Sequence, residues 1–265
     1  MTTYEILTLA VSITAVVVSI AIPLIQFILR KMKQLKLTIL PFDHTPLTLF
    51  FNESGSYIKF KFSLECKNKP ATIHSMHARV IRDSDKEQLE LIWSTAESVY
   101  VNWFGPNAAN RINSVSIVHP LKVLADTLEP MIIEFSNCNQ ASILNVCSQR
   151  NDIINKALQQ WHPEKIDELI AILHEEGNLE QLKPSLIELD FWKAGTYKLY
   201  LDIQYNTSKI LTTEFQFSIS DASEHAIKNN TQAILLCQIY KQSNLPCPYR
   251  FEFVDTEISQ ISHVQ

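Results

Sequence analysis

Residues Tyr57–Cys66 read Tyr-Ile-Lys-Phe-Lys-Phe-Ser-Leu-Glu-Cys. Ile58, Phe60, Phe62, Leu64 and Cys66 alternate with Lys59, Lys61, Ser63 and Glu65. Side chains on a strand point to opposite faces in turn, so period two with one apolar set marks a half-buried strand. The turn residues Asn52-Glu-Ser-Gly55 precede it. Tyr197–Tyr205 and Leu211–Ile219 repeat the alternation, and Asn206-Thr-Ser208 between them reads as a hairpin turn. Less regular strands are expected at Leu37–Leu40, Leu47–Phe51, Thr72–Arg82, Gln88–Trp93, Val99–Phe104 and Met131–Phe135. Tyr249, Phe251 and Phe253 suggest a last one. Short alternating segments separated by polar turns predict antiparallel sheets.

Helical spacing interrupts this pattern. Ile153, Ile154, Ala157, Leu158 and Trp161 form one stripe, and Ile166, Leu169, Ile170 and Leu173 another. A helix pair is expected over Asn151–Trp161 and Pro163–Glu176, with Pro163 opening the second helix and Gly177 closing it. A further helix is expected over Ser223–Lys241, with Asp221-x-x-Glu224 as a capping box.

Ala194-Gly-Thr-Tyr197 opens a strand and follows Trp192. This short segment resembles the tyrosine corner of immunoglobulin-like sandwiches, in which a Tyr at a strand start bonds back to upstream backbone. The resemblance implies an immunoglobulin-like antiparallel β-sandwich over residues 37–265, with a helix pair inserted at about 150–177 and a C-terminal helix. Tyr197 would be structural. Cys66 has no cysteine counterpart in Tyr197–Tyr205, so the inter-sheet disulfide of antibody domains is absent.

Residues 1–36 read differently. From Ile6 to Leu29 no charged residue occurs, and a helix of this length spans ~36 Å, against a ~30 Å hydrocarbon core. No Lys or Arg precedes the run and no Ala-x-Ala follows it, which disfavours a secretory signal. A single transmembrane anchor is expected, with Pro23 tolerated as a kink. Arg30, Lys31, Lys33 and Lys36 follow it directly. Cytoplasmic flanks carry the excess of Lys and Arg, so the expected topology is N-terminus outside and C-terminal domain at the cytoplasmic face of the plasma (inner) membrane. Ala15-x-x-x-Ser19 would allow close approach of two such helices in a homo-oligomer.

Several functions are disfavoured. The four glycines never lie closer than 18 residues, which removes P-loop and dinucleotide-binding fingerprints. A net charge of −5 argues against a nucleic-acid partner. Five cysteines without a C-x-x-C pair indicate reduced thiols rather than a disulfide scaffold, and nothing in the Cys138/Cys147 and Cys237/Cys247 spacings supports a zinc site there. His74 and His77, three apart on one strand, should face opposite sides and share no metal. Asp83 and Asp85 sit in a turn with Arg82 and Lys86. No catalytic, cofactor or metal residue is assigned.

The expected function is a non-enzymatic interaction or sensing module, held in the bilayer through Ile6–Leu29 and binding another protein. Trp103 and Phe104, two aromatics at a turn, are the candidate anchors for it. The alternatives are a membrane-tethered hydrolase whose site assembles only in three dimensions, and an outward-facing receptor or adhesin. Three Asn-x-Ser/Thr acceptor patterns, at Asn52, Asn206 and Asn229, would suit the latter.

Overall fold

The computed structural model of the chain describes residues 3–44, 46–103, 109–117, 120–159, 166–175 and 179–264. Of these, 3–11, 29–31, 97–103, 109–117, 166–167, 172, 174–175 and 262–264 are described by their backbone alone. Helix α1 spans Thr3–Met32 and runs through Pro23. Strands β1 (Lys36–Pro41), β2 (Leu47–Asn52), β3 (Gly55–Lys67), β4 (Ala71–Arg82) and β5 (Gln88–Trp103) follow. Next come β6 (Ala109–Ile117), β7 (Leu121–Val123) and β8 (Thr127–Asn137). The helices α2 (Ala141–Gln159), α3 (Ile166–Glu175) and α4 (Lys183–Leu189) separate these from β9 (Gly195–Tyr205) and β10 (Lys209–Ile219). Helix α5 (Asp221–Gln242) and two strands, β11 (Val254–Thr256) and β12 (Ser259–Val264), end the chain.

All strand pairs are antiparallel and join one sheet, in the order β11-β2-β3-β8-β5-β4-β9-β10-β12. β1 continues the place of β2 beside β3, and β7 continues that of β5 beside β4. β11 and β12 lie at opposite ends of this order, yet only residues 257–258 separate them in the chain. The sheet therefore curls until one C-terminal segment joins both its edges. The rings of Phe60 on β3 and Phe215 on β10 meet edge to face inside the curl, 5.3 Å apart.

This corrects the expectation of two stacked sheets. Register shifts at Ile73/Ser75, Trp93/Thr95 and Glu214/Phe215 mark bulges. Bulges add twist and bend strands, so the sheet folds over without breaking its pairing. The apolar set of the opening stretch, Ile58 to Cys66, is completely buried inside the curl.

Two helical expectations shift. α2 begins ten residues before Asn151, at Ala141, and the short helix α4 adds a turn that the helical stripes do not predict. Trp161 to Pro163 and Gly177 lie outside the described residues. The helix start at Asp221 is capped differently from the expected box. Ser220 is the N-cap and its side chain accepts from Ser223 N, while Glu224 turns away to accept from Ala194 N at 2.7 Å.

The strand expected over Tyr249–Phe253 does not form. Asn230, fully buried on α5, donates through Nδ2 to Glu252 O at 2.9 Å and accepts from Glu252 N at 2.6 Å. A side-chain amide thus takes the place of a neighbouring strand. Among the described residues no helix is long and apolar enough to cross a membrane. In the part of α1 with described side chains, Ile13, Val17, Ile20 and Ile25 stand exposed.

Candidate interaction surfaces

The β2–β3 turn, the β4–β5 hairpin, the start of β9 and the start of α5 meet at the end of the sheet away from α1. Here alternating strands deliver polar residues into buried positions. Arg82 closes β4 and is 5% exposed. It donates from Nη2 to Asp85 at 2.8 Å and from Nη1 to Phe191 O at 2.8 Å, pairs with Glu87, and lies over the Phe191 ring. Burial alone would lower its pKa, but the bonds to Asp85 and Tyr197 hold it above the ordinary value. Asp85 is held below its usual range, first by Arg82. The Asp83–Asp85 turn is therefore a clamp on a buried arginine as well as a surface hairpin.

Tyr197 is fully buried. Its Oη donates to Lys193 O at 2.6 Å and accepts from Lys193 N at 2.8 Å, and its ring stacks on Phe217. Asp190, 2% exposed, accepts from Trp192 N at 3.0 Å, while its Oδ2 has no hydrogen-bond partner among the described residues. Burial pushes its pKa up to about 6, against the pull of the Trp192 amide and Lys193.

A second buried arginine, Arg150 on α2, donates to Glu53 in the β2–β3 turn at 2.6 Å and to Ile234 O on α5. One guanidinium so joins three elements. Between the start of α2, α4 and the start of β5 lies a groove of about 360 Å³. Leu89, Ile143 and Phe191 line it with apolar surface, and Glu90, Asn139 and Glu188 supply polar atoms.

No family model and no curated protein matches this chain.

The sequence-expected residues fall elsewhere. The Trp103 backbone ends β5, opposite Ala109, but its side chain and all of Phe104 lie outside the described residues. Lys33 and Lys36 are exposed beyond α1, and the side chains of Arg30 and Lys31 lie outside the described residues. His74 and His77 are both exposed rather than on opposite faces, because the bulge at Ile73/Ser75 breaks the alternation between them. Among the described residues no group of three or more His, Cys, Asp or Glu could hold a metal.

Cys237 on α5 and Cys247 after it have Sγ atoms 2.8 Å apart. Burial, then the Cys247 hydrogen bond, pushes Cys237 up to about 12. Their ten-residue spacing was legible, but their contact was not: it depends on the chain turning back along α5 after Gln242. Arg82, Arg150 and Asp190 carried no signal in the sequence beyond their charge.

Proposed function

We propose that the chain is a membrane-anchored, non-enzymatic interaction module with a cytoplasmic β-domain. The observation that carries it is the uncharged run within α1, which extends on both sides beyond residues 12–28, the part of the helix with described side chains. Ile6–Leu29 lacks charge, α1 is 30 residues long, and its described apolar side chains are left uncovered by the domain. At 1.5 Å per residue α1 spans ~45 Å, and a bilayer core of ~30 Å would cover the uncharged run. The immunoglobulin-like comparison contributes one local element, the Tyr197 back-bond, and carries no functional weight.

The groove at the far end supports binding of another protein. A lining that mixes Leu89, Ile143 and Phe191 with the carboxylates of Glu90 and Glu188 suits a segment that presents both an apolar side chain and a Lys or Arg. The anchor is tested by alkaline extraction of membranes that contain the full chain. Retention in the pellet, lost when Val17→Lys places a charge at mid-helix, supports the reading; release of the unaltered chain overturns it.

A second reading has one observation in its favour. Thiols 2.8 Å apart at Cys237 and Cys247 are ready to be joined in an oxidising compartment, as an outward-facing receptor would experience.

A further inference from the structure

The chain carries 23 Lys and Arg against 28 Asp and Glu, a net −5, yet one end of the domain is strongly basic. That end is where α1 joins the sheet. Lys36 on β1 lies directly opposite Lys67 on β3. Lys69 sits in the β3–β4 turn, Lys122 on β7 lies opposite Thr72, and Lys209 lies opposite Tyr205 at the mouth of the β9–β10 hairpin. With Lys33, six exposed lysines surround this end. Two carboxylates also lie at this end: Glu65, paired with Lys67 at 2.8 Å, and Asp126, which accepts from Asn68 N at 3.0 Å.

Two further features set this end apart. Lys36 and Lys67 stand directly opposite on neighbouring strands, and Glu65 answers only Lys67, so the pair keeps a net positive charge. Leu124 and Ile210 stand 60% and 65% exposed beside Lys122 and Lys209. The surface is also tied to the anchor and built as a unit. Asn68 Nδ2 donates to Gln34 O at 2.9 Å, and Asn206 exchanges two 2.9 Å bonds with the Thr72 backbone, holding the β9–β10 hairpin to the start of β4.

We infer that this end is a lipid-docking face: the lysines bind the phosphates of anionic headgroups in the bilayer that α1 enters, and Leu124 and Ile210 rest at the acyl boundary. The inference rests on the proposed anchor, and charge complementarity with an anionic leaflet selects the occupant. Docking fixes the tilt of the domain, so the groove at the opposite end faces away from the membrane.

The test is hydrogen exchange on the full chain in nanodiscs of phosphatidylcholine, with and without phosphatidylserine. Peptides covering Lys67–Pro70, Leu124–Asp126 and Asn206–Ser208 are expected to exchange on the order of tenfold more slowly in the anionic discs. The quadruple variant Lys67→Glu, Lys69→Glu, Lys122→Glu, Lys209→Glu should abolish this difference while exchange in Arg82–Glu87 and α5 stays unchanged, showing that the fold survives. Equal exchange in both discs overturns the docking face even though the chain stays inserted. Protection by inorganic phosphate in neutral discs also overturns it, in favour of a free-anion site. A chain that leaves neutral discs but binds anionic vesicles removes the anchor and keeps the docking face; one that binds neither removes both.

Discussion

Arg150 Nη1 donates to Glu53 Oε1 at 2.6 Å, so a helix that interrupts the strands is locked to the turn that opens β3. The Arg150 side chain is 3% exposed and that of Glu53 45%. Removing the buried partner also takes a charged donor from Ile234 O and Asn151 Oδ1. Arg150→Ala should therefore destabilise by about 3 kcal/mol. Glu53→Gln, which retains a hydrogen-bond acceptor at a half-exposed position, should cost under about 1 kcal/mol. Denaturant unfolding of the two single variants and the double variant measures both values and their coupling.

Asp190 makes stability fall as pH rises. Its folded pKa of about 6 lies above the ~3.9 of an unfolded aspartate, so the fold prefers the protonated form. The penalty is absent below about pH 4, grows between pH 4 and 6, and reaches about 3 kcal/mol above that window. Asp190→Asn keeps an acceptor for Trp192 N and removes the charge. It should raise stability at pH 7 and flatten the pH dependence between 4 and 6, as read by thermal unfolding across that range.

Tyr197→Phe keeps the ring on Phe217 and loses the bonds to Lys193 O and N. A loss of about 1–2 kcal/mol is expected, because the hydroxyl is the partner of two backbone groups in a buried corner. An unchanged unfolding midpoint would show that water replaces it without cost.

Much of the strand pattern could be read before the structure. Ile58, Phe60, Phe62 and Leu64 alternate strictly and all are fully buried, since period two survives wherever a strand has one interior face. Register, curl and closure were not legible. They depend on bulges, such as the one beside His74, that leave no residue-type signature. The Tyr249–Phe253 alternation misled because the backbone partner of Glu252 is the Asn230 side chain, 22 residues back. Helix α4 was too short, at seven residues, for a helical period, and Pro184 near its start was the one available signal. The buried arginines escaped because charge alone does not reveal a long-range partner: Arg150 and Glu53 are 97 residues apart.

The thiol pair should close under mild oxidation. Cys237 and Cys247 lose two protons and two electrons to form one disulfide, and a small-molecule disulfide takes them to become two thiols. Burial and the Cys247 hydrogen bond hold the Cys237 thiol up at about 12, and since a thiolate must attack, the rate should rise with pH. Mass spectrometry should find the Cys237–Cys247 linked peptide, and Cys247→Ser should prevent it. The ten-residue closure should add about 2–3 kcal/mol of stability.

Membrane topology is the most direct test of the central claim. A reporter fused after Gln265 in the full chain is read on both sides of the membrane. The basic residues Arg30, Lys31, Lys33 and Lys36 predict a cytoplasmic signal, which keeps the β-domain, its lysine face and its groove on the side of cytosolic partners. An exterior signal would contradict this. It would place Cys237 and Cys247 where a disulfide forms, and would make the outward-facing receptor the leading reading.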